Sequence, residues 1–191
     1  MGQTLRDRRD AYAKVDLEMN FKIFTQELGN SVTGKVVANS ICYGTNTIES
    51  ARKTIALVKK IFVANGFTEE QAIEYINQNK YIFEVGYAKL VSMLSILSIA
   101  KLDNKAVFEN PVYLINEQHN VARMYNAIKK VKAEGREVTI PEIKEIEKDK
   151  KESIEYPLKK DRLALYQKSY LATLERQIKE LENQRVMKKE E

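Results

Sequence analysis

Residues 29–36, GNSVTGKV, carry the spacing of a phosphate-binding loop, with Gly29, Gly34 and Lys35 in the required places. Such a loop works because successive backbone amides cradle phosphate oxygens, the Lys reaches the terminal phosphates, and a following Ser or Thr holds Mg²⁺. Val36 occupies that last position and cannot ligate a metal. The preceding segment has the pattern of a helix, not of a buried strand, and no apolar strand ending in Asp completes a metal site. Residues 29–36 are read as an interhelical loop, and nucleotide hydrolysis is rejected.

The remaining reactive groups are sparse. The chain has one cysteine and one histidine, too few for a disulfide framework, a cysteine-based zinc site or most histidine chemistry. Cys42, beside Tyr43 in an apolar stretch, reads as a buried structural thiol, because nothing nearby would lower its pKa. His119, in NEQHNVARM, reads as a surface histidine. Glu69 and Glu70 read as residues of a helix N-terminus, where the macrodipole favours them, and not as an acid–base pair. No catalytic residue, metal ligand or cofactor is assigned, and the chain is read as non-enzymatic.

The basic residues are the most usable signal. Arg52, Lys53, Lys59 and Lys60 lie opposite or beside an apolar stripe of Ile48, Ile55 and Phe62. Arg123, Lys129, Lys130 and Lys132 do the same further on, with Tyr125 and Tyr166 as candidate stacking groups. A Lys or Arg on a phosphate displaces a counterion and makes binding salt-sensitive. Against that stands the ordinary reading of such residues as solvated helix faces. The net charge of +5 and pI of about 9.1 are compatible with a polyanionic partner but do not demand one.

The elements that must position these residues are helices. Only 7 glycines and 3 prolines punctuate 191 residues, 43% of them hydrophobic, so long helices with few loops and a packed core are expected. Expected helices run from about Leu5 to Leu28, closed by Gly29, and from Val36 to Tyr43. A third is capped by Asn46 with Glu49, holds the Ile48 stripe and ends near Gly66. Thr68 with Gln71 forms a capping box opening a helix through Ala72, Ile73 and Ile76. Further helices carry Leu90, Met93, Leu94 and Leu97, then a short segment capped by Asp103, then Leu114, Val121, Met124 and Ile128 after Pro111. Thr139, Pro141 and Glu142 form another start. IKEIEKDKKES reads as a solvated helix or linker. Pro157 precedes a final helix from about Leu158 to Lys188. On it, Leu171, Leu174, Ile178 and Leu181 form a two-heptad seam, open to self-association, to a partner, or to packing on the body.

Aligning NQNKYIFEVGYAKL with FENPVYLINEQHNVARM places Phe83 over Leu114, a period of 31 residues (114 − 83). Seven-residue stripes follow: Phe83, Leu90 and Leu97, then Leu114, Val121 and Ile128. Such stripes are buried by stacking successive units, as in a solenoid. Over residues 45–142 the pattern resembles the mitochondrial transcription termination factor family. Its repeat places three leucine-like residues at offsets of three, ten and seventeen after a Pro. Pro111, Leu114, Val121 and Ile128 match, whereas Lys80 stands where the earlier Pro should be. The resemblance implies a curved superhelix that binds duplex DNA or RNA along a basic concave face.

The expected fold is all-α, with helical hairpins stacked as a short superhelix or irregular bundle and a long C-terminal helix. The expected division is an N-terminal helical segment (1–44), a helical-repeat core (45–142) and a charged linker with the final helix (143–191). The expected function is a nucleic-acid-binding module with a regulatory role; the alternative is a protein-binding adaptor or inhibitor. No apolar run reaches membrane-spanning length and the N-terminus lacks a secretory stretch, so a cytoplasmic chain without membrane association is expected.

Overall fold

The structure, a computed structural model, describes residues 5–102, 107–109, 120–148 and 155–190. Nine helices and no strands occur among them: α1 (Leu5–Leu28), α2 (Ser31–Cys42), α3 (Ile48–Ala64), α4 (Glu69–Gln78), α5 (Ile82–Val85), α6 (Tyr87–Ile99), α7 (Val121–Ala133), α8 (Ile140–Lys148) and α9 (Lys160–Glu190). The all-α expectation holds, long C-terminal helix included. No helix among the described residues is long and apolar enough to cross a membrane.

The chain forms two compact units. One contains Met1–Phe62 and Phe67–Tyr87; the other contains Val63–Gly66 and Ala88–Glu191. The division after Tyr87, the first residue of α6, lies inside the 45–142 stretch read as one repeat core.

In the first unit, α1 and α2 form an antiparallel hairpin. Its turn is Gly29, at φ +62, followed by Asn30, whose side chain caps α2 by accepting from the Thr33 amide at 3.0 Å. The helix therefore starts at Ser31, five residues before the expected Val36. Most of GNSVTGKV is helical and not a loop. The Gly34 amide is already bonded to the Asn30 carbonyl at 2.9 Å, so it cannot join a phosphate-binding cradle. Gly34 is instead a packing residue. A Cβ there would lie 2.7 Å from the backbone N of Thr25 and 2.9 Å from its Cα, so only glycine lets α1 and α2 approach this closely.

The start of α3 also departs from expectation. Thr47, not Asn46, caps it: the Thr47 hydroxyl accepts from the Ser50 amide at 3.0 Å. Asn46 is buried, and its Nδ2 donates to the Phe83 carbonyl at 2.9 Å. At α4 the expected capping box is present: Thr68 accepts from the Gln71 amide, and the Gln71 side chain accepts from the Thr68 amide. Phe24, Leu28, Val37, Ile55, Val58, Ile76 and Phe83 are among the buried side chains of this unit.

The stripe of Phe83, Leu90 and Leu97 does not lie on one helix. Gly86, at φ +76, separates α5 from α6, so Phe83 belongs to a different helix from the two leucines, although all three are buried. The later stripe also changes. Asn120 caps α7, accepting from the Ala122 and Arg123 amides, so that helix begins at Val121; Pro111 and Leu114 lie outside the described residues. The Asp103 cap and His119 lie outside them too.

In the second unit α6 is buried around its whole circumference from Leu90 to Leu97. Ser92 and Ser95 tolerate this because their hydroxyls donate to the carbonyls of Ala88 and Val91, each at 2.6 Å. Helices α7 and α8 pack together, and Thr139 caps α8 through the Glu142 amide at 3.4 Å. Ile140 and Ile143 are buried, so the start of IKEIEKDKKES is anchored in the fold; residues 149–154 are not described.

Candidate nucleic-acid interface

Helical rotation of about 100° per residue sorts the basic residues. On α3, Arg52, Lys53, Lys59 and Lys60 fall within roughly a third of the circumference, on the side facing away from the buried Ala51, Ile55, Val58 and Ile61. Ala56 sits among them, and with Ile48, Glu49, Arg52 and Lys53 it lines a shallow open depression. Lys53 pairs with Glu49 at 2.6 Å and Lys59 with Glu69 at 3.1 Å. The Lys53 ammonium also stands 5.8 Å from the Tyr87 ring centroid. Mutual hydrogen bonding and charge lower the Glu49 pKa and raise that of Lys53. Both pairs are solvent-exposed or partly so, and such pairs contribute little to stability. A phosphate can therefore displace either carboxylate at small cost.

The α7 set is not gathered in this way. Arg123 and Lys130 share one side of the helix, Lys132 points nearly opposite, and Lys129 lies between. Three of the four are engaged within the second unit. Lys130 faces Glu155 at 3.9 Å, Lys132 donates to the Ile99 carbonyl at 3.0 Å, and Lys129 lies 5.5 Å from the Tyr125 ring centroid. Arg123 is exposed.

Of the two aromatic candidates, Tyr166 is half-buried and Tyr125 departs from expectation. Tyr125 is buried at 2% exposure, which removes it as a stacking platform for a base. Its ring lies 6.2 Å from that of Tyr166, and its hydroxyl accepts from Arg162 Nη1 at 3.4 Å. Burial opposes ionisation of the Tyr125 phenol, but hydrogen bonds from Arg162 and Tyr166, with the charge of Lys129, outweigh it and lower the pKa. Arg162 was not singled out in the sequence. Its i, i+4 spacing to Tyr166 is visible there, but its position against Tyr125, 37 residues away, is not.

Cys42 is exposed at the last residue of α2, contrary to the buried thiol expected from its apolar neighbours. The short α2 ends there, so the residue lies at a helix terminus and not on a packed face. On α9, Leu174 is buried and Leu171, Ile178 and Leu181 are half-buried; Tyr170 is buried beside them. The seam is thus buried at Tyr170 and Leu174, while Leu165, Val186 and Met187 stand exposed. Among the described residues, no group of three or more His, Cys, Asp or Glu side chains could hold a metal ion. Comparison with protein families, with curated proteins and with solved structures finds no match to this chain.

Proposed function

We propose that the protein is a non-enzymatic helical module that binds nucleic acid through the exposed face of α3. One observation carries this reading: Arg52, Lys53, Lys59 and Lys60 share that face around the small Ala56. A small residue ringed by long cationic side chains lets a phosphate backbone approach the helix, and each displaced counterion adds to the salt dependence. The resemblance of residues 45–142 to the transcription termination factors motivates the same class of partner. Fluorescence anisotropy with duplex DNA, single-stranded DNA and duplex RNA across a salt series tests it. Each phosphate contact adds about 0.9 to the slope of log K against log salt for duplex DNA. Arg52→Gln with Lys60→Gln should lower that slope by about two, and Arg123→Gln with Lys132→Gln should leave it nearly unchanged. Absence of binding to all three probes at low salt overturns the reading.

The second reading, a protein-binding adaptor, draws on α9, where Leu165, Val186 and Met187 are 66%, 56% and 68% exposed. Partner capture that survives the α3 substitutions but is lost in Leu165→Ser with Met187→Ser would favour it.

A further inference from the structure

Several cations of this protein pair with a carboxylate: Lys53 with Glu49, Lys59 with Glu69, Lys130 with Glu155, Arg176 with Glu180, and Arg136 with both Glu134 and Glu142. A cluster on α7 and α9 is built differently. Arg162 donates to the phenol oxygen of Tyr125, Lys129 lies over the same ring, and Tyr166 packs against it. Among the described residues, no carboxylate pairs with Arg162 or Lys129. A neutral phenol oxygen is a weak acceptor for a guanidinium, which has five N–H donors and seeks bidentate anionic partners.

We propose that Arg162 and Lys129 form a phosphate-binding site in the second unit, beside the Tyr125–Tyr166 pair. The guanidinium supplies a planar pair of donors to two phosphate oxygens, and the ammonium supplies a second charge. Tyr125, buried beneath them, holds Arg162 in place. Hydrogen bonds from Arg162 and Tyr166, with the charges of Lys129 and Arg162, ease the ionisation of Tyr125 despite its burial. Arg162 is exposed, so a phosphate can reach it without any rearrangement of the core. The site is independent of the α3 face and stands whether or not α3 binds a polynucleotide.

Tyr125 provides the readout. A bound phosphate places negative charge beside the phenol and opposes its ionisation. With the full chain, inorganic phosphate should move the Tyr125 titration, followed by ring-carbon NMR, upward by about one pH unit relative to chloride at matched ionic strength. Arg162→Gln and Lys129→Gln should each weaken phosphate binding on the order of tenfold or more, and Arg162→Lys should fall between wild type and Arg162→Gln. No shift beyond the chloride control overturns the proposal, as does a shift that persists in the Arg162→Gln, Lys129→Gln double variant. A short oligonucleotide with and without a 5′-phosphate then identifies the source. A response confined to the phosphorylated form marks a terminal monoester, and an equal response marks the backbone diester.

Discussion

Asn46 and Phe83, 37 residues apart, are joined by a buried hydrogen bond in which the Asn46 amide donates to the Phe83 carbonyl over 2.9 Å. The other end of the same amide accepts from the Thr47 backbone N–H, also at 2.9 Å. One side chain thus closes the loop before α3 and satisfies a carbonyl of α5. Asn46→Asp retains the acceptor but loses the donor, leaving the carbonyl unpaired beside a new charge. The expected loss is about 1–3 kcal/mol, which lowers the melting temperature by about 2–4 °C for each kcal/mol in a chain of this size. Thermal denaturation that leaves Asn46→Asp level with the wild type would show that the bond contributes nothing.

Gly34→Ala should destabilise, although alanine is the better helix former by about 0.8–1.0 kcal/mol. The new methyl would meet Thr25 backbone atoms at 2.7 and 2.9 Å, and relieving that overlap costs about 1–3 kcal/mol or more. Because part of the clash is with backbone, adding Thr25→Ser to Gly34→Ala should not restore stability. Urea denaturation of the single and double variants checks both statements.

Tyr75 predicts a pH dependence. Burial beside Phe62, whose ring centroid is 5.3 Å away, pushes its phenol well above the ordinary range. A folded-state value above the unfolded one means that this group's stabilisation is complete below about pH 10 and is lost as pH rises beyond it. Tyr75→Phe should therefore unfold less readily than the wild type in alkaline solution and show little pH-linked difference at neutral pH. Circular dichroism melts at a series of pH values between neutral and strongly alkaline measure this; parallel curves throughout would contradict it.

The two kinds of leucine on α9 should respond differently to truncation. Leu174→Ala removes a side chain that is 1% exposed and should cost about 2–5 kcal/mol. Leu165→Ala, at a site 66% exposed, should fall within about 0.5 kcal/mol of wild type. Chemical denaturation of both variants decides whether α9 is seated as described. Equal effects would mean that it is not.

Some features were readable without the fold because they depend on neighbours in the chain. The end of α1 at Gly29, the capping box of Thr68 and Gln71, and the Thr139 start of α8 each involve residues within about a helical turn of one another. The grouping of Arg52, Lys53, Lys59 and Lys60 was partly readable for the same reason, since helical rotation alone places them together. The α7 residues illustrate the opposite case. Their spacing resembles a basic cluster, but Glu155 and the Ile99 carbonyl, both distant in sequence, engage two of them.

Residue type and spacing were enough to establish that this chain is helical and where most of its helices lie. They could not establish why Gly34 is glycine, why Asn46 yields its capping role to Thr47, or that Tyr125 lies beneath Arg162. Helix formation and capping are local interactions, encoded over a few residues. Close helix crossings, buried amide bonds and clustered cations bring together side chains tens of residues apart, so they exist only once packing has selected the partners.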